Sequence, residues 1–167
     1  MTCAAVAVGS NLESEFGGRE ANLRVAVERV GALGSVVGVS GFFDTAPVGN
    51  VEQPRFLNGA LVLETELEPL ELMRGLLAVE RAMGRVRSGV AAKGPRVIDL
   101  DLLLFGDVVV VSEELMLPHP AMHERRFVLE PLAEIAGEMR HPVLGWTVAE
   151  MLARLGQGDG EQGVEDD

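Results

Sequence analysis

Gly94-Pro95-Arg96-Val97-Ile98-Asp99-Leu100-Asp101, running on into Leu102-Leu103-Leu104-Phe105, is the stretch on which the reading of this chain turns. Gly94-Pro95 is a turn signal that hands over an arginine. Val97–Phe105 then reads as a β-strand. Ile98, Leu100, Leu102, Leu103 and Leu104 form a nearly continuous apolar run, the mark of a strand buried at the centre of a sheet. Strand side chains alternate, so Asp99 and Asp101 share a face. Two adjacent carboxylates are hard oxygen ligands suited to Mg²⁺. On a buried strand they are costly without a metal or arginines to compensate them. The plainer alternative is a solvated strand face whose carboxylates pair with surface arginines.

Upstream, Arg81, Arg85, Arg87, Lys93 and Arg96 crowd one short window. A helix C-terminus favours cations, which accounts for Arg81 and Arg85 but not for the three that continue into the loop. Gly84, Ser88, Gly89 and Gly94 allow that loop to move. Carboxylates facing guanidiniums suggest a metal-bound polyphosphate, with the basic loop closing over it.

Working outward, Cys3–Val8 reads as a strand, Arg19–Leu33 as a helix and Ser35–Phe43 as a second strand. Asp44–Pro54 is a loop, Phe56–Leu67 a third strand and Leu70–Met83 an amphipathic helix. Gly84–Pro95 is a second loop. Val97–Phe105 is the fourth strand, turning into Val108–Val111, with short helices at Phe127–Ile135 and Thr147–Leu155. The order β-α-β-β-α-β predicts an α+β, ferredoxin-like sandwich: an antiparallel sheet with helices packed on a face, plus a C-terminal hairpin and short helices.

The chain has 167 residues, 47% of them hydrophobic, enough for one domain over residues 1–155. Its formal net charge of −12 argues against a general nucleic-acid binder and against attraction to anionic membranes. The acidic, Gly-rich tail 156–167 is expected to be disordered. A single cysteine, Cys3, excludes an internal disulfide and is expected to be a small buried hydrophobe. The apolar start lacks a basic flank and is too short to span a membrane, so a cytoplasmic location is expected.

Three further constellations stand out. Phe56 and Asn58 share a strand face, and Phe127 lies far off in sequence; two rings can stack on a flat heterocycle while an amide reads its edge. By periodicity alone both Phe residues would be core. Pro118-His119-Pro120 presents a histidine rigidly, as a structural turn residue or as a ligand contact. The three histidines are scattered, which makes a zinc reading poor. Gly9-Ser10-Asn11-Leu12 matches no phosphate-binding loop pattern.

Several strings together resemble the 6-hydroxymethyl-7,8-dihydropterin pyrophosphokinase family over about residues 2–155. They are Val8-Gly9-Ser10-Asn11-Leu12, Thr45-Ala46-Pro47-Val48-Gly49, Phe56-Leu57-Asn58, Gly84-Arg85-Val86-Arg87, the Gly94–Asp101 string, Leu117-Pro118-His119-Pro120, and Arg125-Arg126-Phe127-Val128-Leu129-Glu130-Pro131-Leu132. The resemblance implies a monomeric, ATP-dependent diphosphokinase that moves pyrophosphate from ATP to the pterin hydroxymethyl group, releasing AMP, in folate biosynthesis. It implies that Asp99 and Asp101 hold two Mg²⁺ and that Arg85 and Arg96 neutralise the transferred group. Arg87, His119 and Arg125 would contact the nucleotide phosphates, and Glu80 would lie near the adenine. Asn58, Phe56, Phe127, Thr45, Pro47 and Val48 would bind the pterin.

The chain departs from the family pattern in places. Lys93 stands where members carry tryptophan, in a loop one residue longer, and is expected to contact ATP phosphates instead. Glu114 and Met116 replace a cation and a hydroxyl, and Leu77 replaces a polar residue. Two rivals remain at this level: another D-x-D metal-dependent nucleotide transferase, and a non-catalytic ferredoxin-like small-molecule sensor domain. The sensor reading leaves the arginines and the Asp pair without a purpose.

Overall fold

The strand β1 (Thr2–Ser10) runs through the middle of the molecule, and its sequence suits that place. Ala4, Val6 and Val8 face one core; Ala5 and Ala7 face another. The computed structural model describes residues 1–46, 54–84 and 96–156. Pro47, Val48, Arg85, Arg87, Lys93 and residues 157–167 of the tail lie outside the described residues.

After β1 come α1 (Arg19–Val30), β2 (Ser35–Val39), β3 (Phe43–Thr45), β4 (Phe56–Thr65), α2 (Pro69–Ala82) and β5 (Asp99–Phe105). A two-stranded hairpin, β6 (Val110–Val111) and β7 (Met116–Leu117), leads to a 3₁₀ turn at Met122–Glu124, then α3 (Arg126–Ala136) and α4 (Val148–Gly156). The main sheet has the order β2-β4-β1-β5, with β3 also on β4, and every pairing is antiparallel. With the short β3 set aside this is the ferredoxin-like β-α-β-β-α-β arrangement.

Local sequence explains the helices. Glu68 and Glu71 form a reciprocal capping box, with Pro69 in the first turn of α2. Thr147 and Glu150 cap α4 the same way: Glu150 Oε1 accepts from the Thr147 N–H at 2.8 Å and Thr147 Oγ1 from the Glu150 N–H at 3.1 Å. Leu23, Ala26 and Val30 of α1 and Leu72 and Leu76 of α2 bury one stripe each against Leu61, Leu63, Leu100 and Leu102. Each large aliphatic side chain so buried contributes about 2 kcal/mol. The opposite sheet face is covered by Val128, Leu129 and Leu132 of α3 and Val148 and Met151 of α4, over Ala5, Ala60 and Leu103.

The structure corrects four expectations. Helices cover both faces of the sheet, not one. β5 is the end strand of the sheet, not a central one; its apolar run reflects cover on both faces. Ser35–Phe43 is two strands, because the Ser40 hydroxyl turns back to accept the Ala60 N–H at 2.9 Å and donate to the Gly41 carbonyl at 2.6 Å. Cys3 is exposed, its Sγ 4.0 Å from Glu64 Oε2 at the uncovered end of β1. Among the described residues, no helix is long and apolar enough to cross a membrane.

Candidate active site

The site begins with sheet register. Gly9 of β1 is paired with Asn58 of β4 on one side and with Asp99 of β5 on the other. The next row on this face is Ala60, Ala7 and Asp101. Directly paired residues of an antiparallel sheet share a face, so Asn58, Asp99 and Asp101 stand together with only glycine and alanine between them. An ideal Cβ on Gly9 would lie 2.8 Å from Asn58 Oδ1 and 3.8 Å from the Phe56 ring. A larger residue at position 9 would push the Asn58 amide aside, and Phe56 and Asn58 border the same small-residue floor. Phe127, in the first turn of α3, packs against the cluster on this face, with the Arg125 guanidinium 5.6 Å from its ring centre.

Arg96 Nη1 donates to Asp99 Oδ2 at 3.0 Å, and the two side chains remain 19% and 21% exposed. That exposure leaves the carboxylate reachable by a cation while the arginine offsets its burial. Among the described residues, no group of three or more His, Cys, Asp or Glu side chains forms a closed cage. A two-carboxylate donor set of this kind suits Mg²⁺, which is commonly held by one or two carboxylates plus substrate phosphates and water.

His119 joins this neighbourhood. Its N–H donates to the Leu103 carbonyl of β5 at 2.9 Å, after a cis Leu117–Pro118 peptide. Burial lowers the pKa of its imidazole, and the Arg125 charge lowers it further, against the opposing pull of Asp99. Nδ1 accepts the Ala121 N–H at 3.2 Å, so the neutral ring carries its proton on Nε2.

On the β4 side, Asn58 Nδ2 donates to Thr45 Oγ1 at 2.5 Å, leaving Oδ1 over Gly9. Beside Thr45, Asp44 bridges Arg19 at 2.9 Å and Arg55 at 2.7 Å, and those two guanidiniums hold its carboxyl below the usual range. Glu80, expected by resemblance near the adenine, sits in the last turn of α2 facing β5. It is 1% exposed, and its Oε2 accepts the Leu100 N–H at 2.6 Å, between Asp99 and Asp101.

The model of the family 7,8-dihydro-6-hydroxymethylpterin-pyrophosphokinase (HPPK) matches residues 5–137. The chain belongs to the HPPK family. It is 43% identical to the 2-amino-4-hydroxy-6-hydroxymethyldihydropteridine pyrophosphokinase of Methylorubrum extorquens, over 93% of this chain and 94% of that one. The Bacillus subtilis protein of the same name is also 43% identical, over 80% of this chain and 78% of that one. The folic acid synthesis protein fol1 of Pneumocystis carinii is 37% identical, but this chain spans only 20% of its length. Among solved structures, a Plasmodium falciparum HPPK-DHPS triple mutant superposes with a TM-score of 0.74 at 15% identity, over 99% of this chain and 46% of that one. That likeness concerns the fold.

Sequence reasoning missed other features of this chain. His119, His123 and His141, distant in sequence, line one cavity of about 260 Å³ under the β6–β7 hairpin. The rings of His123 and His141 meet edge to face at 6.2 Å. Glu114 is held by Arg74 of α2 through two contacts of 3.0 Å, and the guanidinium keeps its carboxyl below the usual range. No local signal pairs these residues; the hairpin brings them together.

Proposed function

We propose that this chain transfers the terminal pyrophosphate of ATP to the hydroxymethyl oxygen of 6-hydroxymethyl-7,8-dihydropterin. The observation that carries the reading is the shared row Asn58–Gly9–Asp99: an amide that can read a heterocycle stands beside a carboxylate that can hold a metal-bound phosphate. The hydroxymethyl oxygen forms a bond to the β-phosphorus. The bond from that phosphorus to the α-phosphate bridging oxygen breaks, its electron pair leaves with AMP, and the hydroxyl proton passes to solvent.

Asp99 and Asp101 would hold two Mg²⁺, which offset charge on the polyphosphate when bound. Arg96, already beside Asp99, donates to non-bridging oxygens of the transferred group. His119 is neutral near pH 7, since its pKa lies below the ordinary value, and offers Nε2–H to a phosphate oxygen. Arg125 adds a positive charge in the same quarter. Asn58 Oδ1 accepts from the pterin edge, Phe56 and Phe127 stack on its rings, and Thr45 steadies the amide. Arg85, Arg87, Pro47 and Val48, outside the described residues, complete the set by family resemblance, and Lys93, also outside them, would contact the ATP phosphates in place of the family's tryptophan. Little covalent work falls to the protein: positioning and charge neutralisation carry the rate.

By family resemblance the protein acts as a monomer on small-molecule substrates, and its acidic charge argues against nucleic-acid or anionic-membrane partners. The test is AMP formation from ATP and Mg²⁺ with and without the pterin. AMP appearing only with the pterin, alongside pterin pyrophosphate, is expected. ADP as product would replace this reading with single phosphoryl transfer, and no turnover by folded protein would favour a sensor domain.

A further inference from the structure

The Gly9-Ser10-Asn11-Leu12 string has a use that the reaction as described leaves out. Ser10 is the last residue of β1, and Asn11 follows it, 2% exposed. Beyond the end of β1 the flanking strands lose their common partner. Asn11 supplies the missing bonds to both sides. Its Oδ1 accepts the Arg96 N–H at 2.7 Å, and its Nδ2 donates to the Pro54 carbonyl at 3.1 Å. Its own N–H donates to the Arg96 carbonyl at 3.0 Å. Arg96 is thus gripped at both its backbone N–H and its backbone C=O by one residue, and the same side chain reaches the chain entering β4.

The chemistry requires an amide. Pro54 offers only a carbonyl and Arg96 a backbone N–H, so a single side-chain terminus must donate to one and accept from the other. Asn11 is itself fixed from α1. Asn22, fully buried, donates to Ser10 Oγ at 3.2 Å and to the Leu12 carbonyl at 2.7 Å, while Ser14 Oγ donates to its Oδ1 at 2.5 Å. The turn is therefore held rigidly from behind, and its front face sets two strand entrances.

Those entrances lead to the two halves of the site. Two residues past Pro54 the chain reaches Phe56 and then Asn58; three past Arg96 it reaches Asp99, which the Arg96 guanidinium already touches. We propose that Asn11 is a positioning residue that sets the phosphate half of the site against the heterocycle half, an inference that rests on the reaction proposed above. Its described bonds go to protein backbone, at Arg96 and Pro54. Its effect is on the distance between the attacking oxygen and the phosphorus, a quantity to which rate is far more sensitive than either binding constant.

The experiment compares the wild type with Asn11→Ala, which removes the side-chain bonds to Arg96 and Pro54, and Asn11→Asp, which keeps the acceptor for Arg96 but cannot donate to Pro54. Amide hydrogen exchange and single-turnover AMP formation are measured on each. In Asn11→Ala, the Arg96 amide should exchange about tenfold faster while the Leu61 and Leu63 amides in mid-β4 keep their wild-type rates. The single-turnover rate should fall about tenfold or more, with each KM changed by less than about threefold. Asn11→Asp should keep Arg96 protected yet lose rate, which a merely structural role would not produce.

The proposal is overturned by unchanged Arg96 exchange in Asn11→Ala. It is overturned equally by a uniform acceleration of all amides, or by faster Arg96 exchange with a single-turnover rate within about twofold of wild type. Should the wild type form no AMP, the reaction reading falls, and the Arg96 and mid-β4 exchange rates still decide whether Asn11 fixes one strand entrance against the other.

Discussion

The two faces of the sheet make opposite use of the same strands. Towards α1 and α2, β1, β4 and β5 present Val6, Val8, Leu61, Leu63, Leu100 and Leu102, and the gap is filled. Towards α3 they present Ala5, Ala7, Gly9 and Ala60, and among these small residues stand Asn58, Asp99 and Asp101. Period-two alternation lets one strand carry a packed core on every second position and chemistry on those between. The filled face fixes the strands, so that the floor of the other face is rigid and its polar side chains are held at defined spacings.

Breaking the reactive face should have the largest effect. Asp99→Ala or Asp101→Ala should lower turnover by about a thousandfold, by loss of the metal-held phosphate, with the melting temperature nearly unchanged. Normal turnover in folded protein would refute the metal assignment. The filled face should respond in the other currency. Leu72 is fully buried, so Leu72→Ala should cost about 2–5 kcal/mol of stability by denaturant unfolding, while activity per folded molecule is retained. Equal losses of stability and specific activity would show that the faces are not separable.

Gly9→Ala probes the boundary between them. The added methyl would press on Asn58 Oδ1 at 2.8 Å, so the KM for the pterin should rise about tenfold while that for ATP holds. A raised KM for ATP alone would move Asn58 out of the pterin role. The smallest effect is expected far from both faces. Arg74 and Glu114 are 60% and 50% exposed, so Arg74→Ala should leave both the melting temperature and turnover unchanged. A clear loss of ATP affinity would instead bring the β6–β7 hairpin into the nucleotide site.

Much of this was legible in the sequence, because periodicity reports burial. Asp99 and Asp101 on one strand face, Phe56 and Asn58 on another, and the β-α-β-β-α-β order all follow from alternation and helical spacing. What periodicity does not report is which neighbour does the burying. The apolar run of β5 looks the same whether the strand is central or covered by helices on both faces, so its place at the end of the sheet stayed hidden. Glu80 illustrates the same blindness: a glutamate on a helix gives no sign that a strand amide 20 residues later will fill its valence. The apolar residues near Cys3 predicted burial, but the helices do not extend over that end of β1. The role of Asn11 was invisible because its partners, Pro54 and Arg96, are 43 and 85 residues away.

The Glu80 contact has a consequence for the molecule among other molecules. An end strand normally offers a row of unused amides and carbonyls to any extended peptide that drifts by. On β5 the Leu100 amide is stoppered by the Glu80 carboxylate and the Leu103 carbonyl by the His119 N–H. At the other end of the sheet, β2 is five residues long and its pairing is interrupted by a register shift between Val36 and Gly38. Along β2 and β5 the sheet therefore offers poor templates for strand addition.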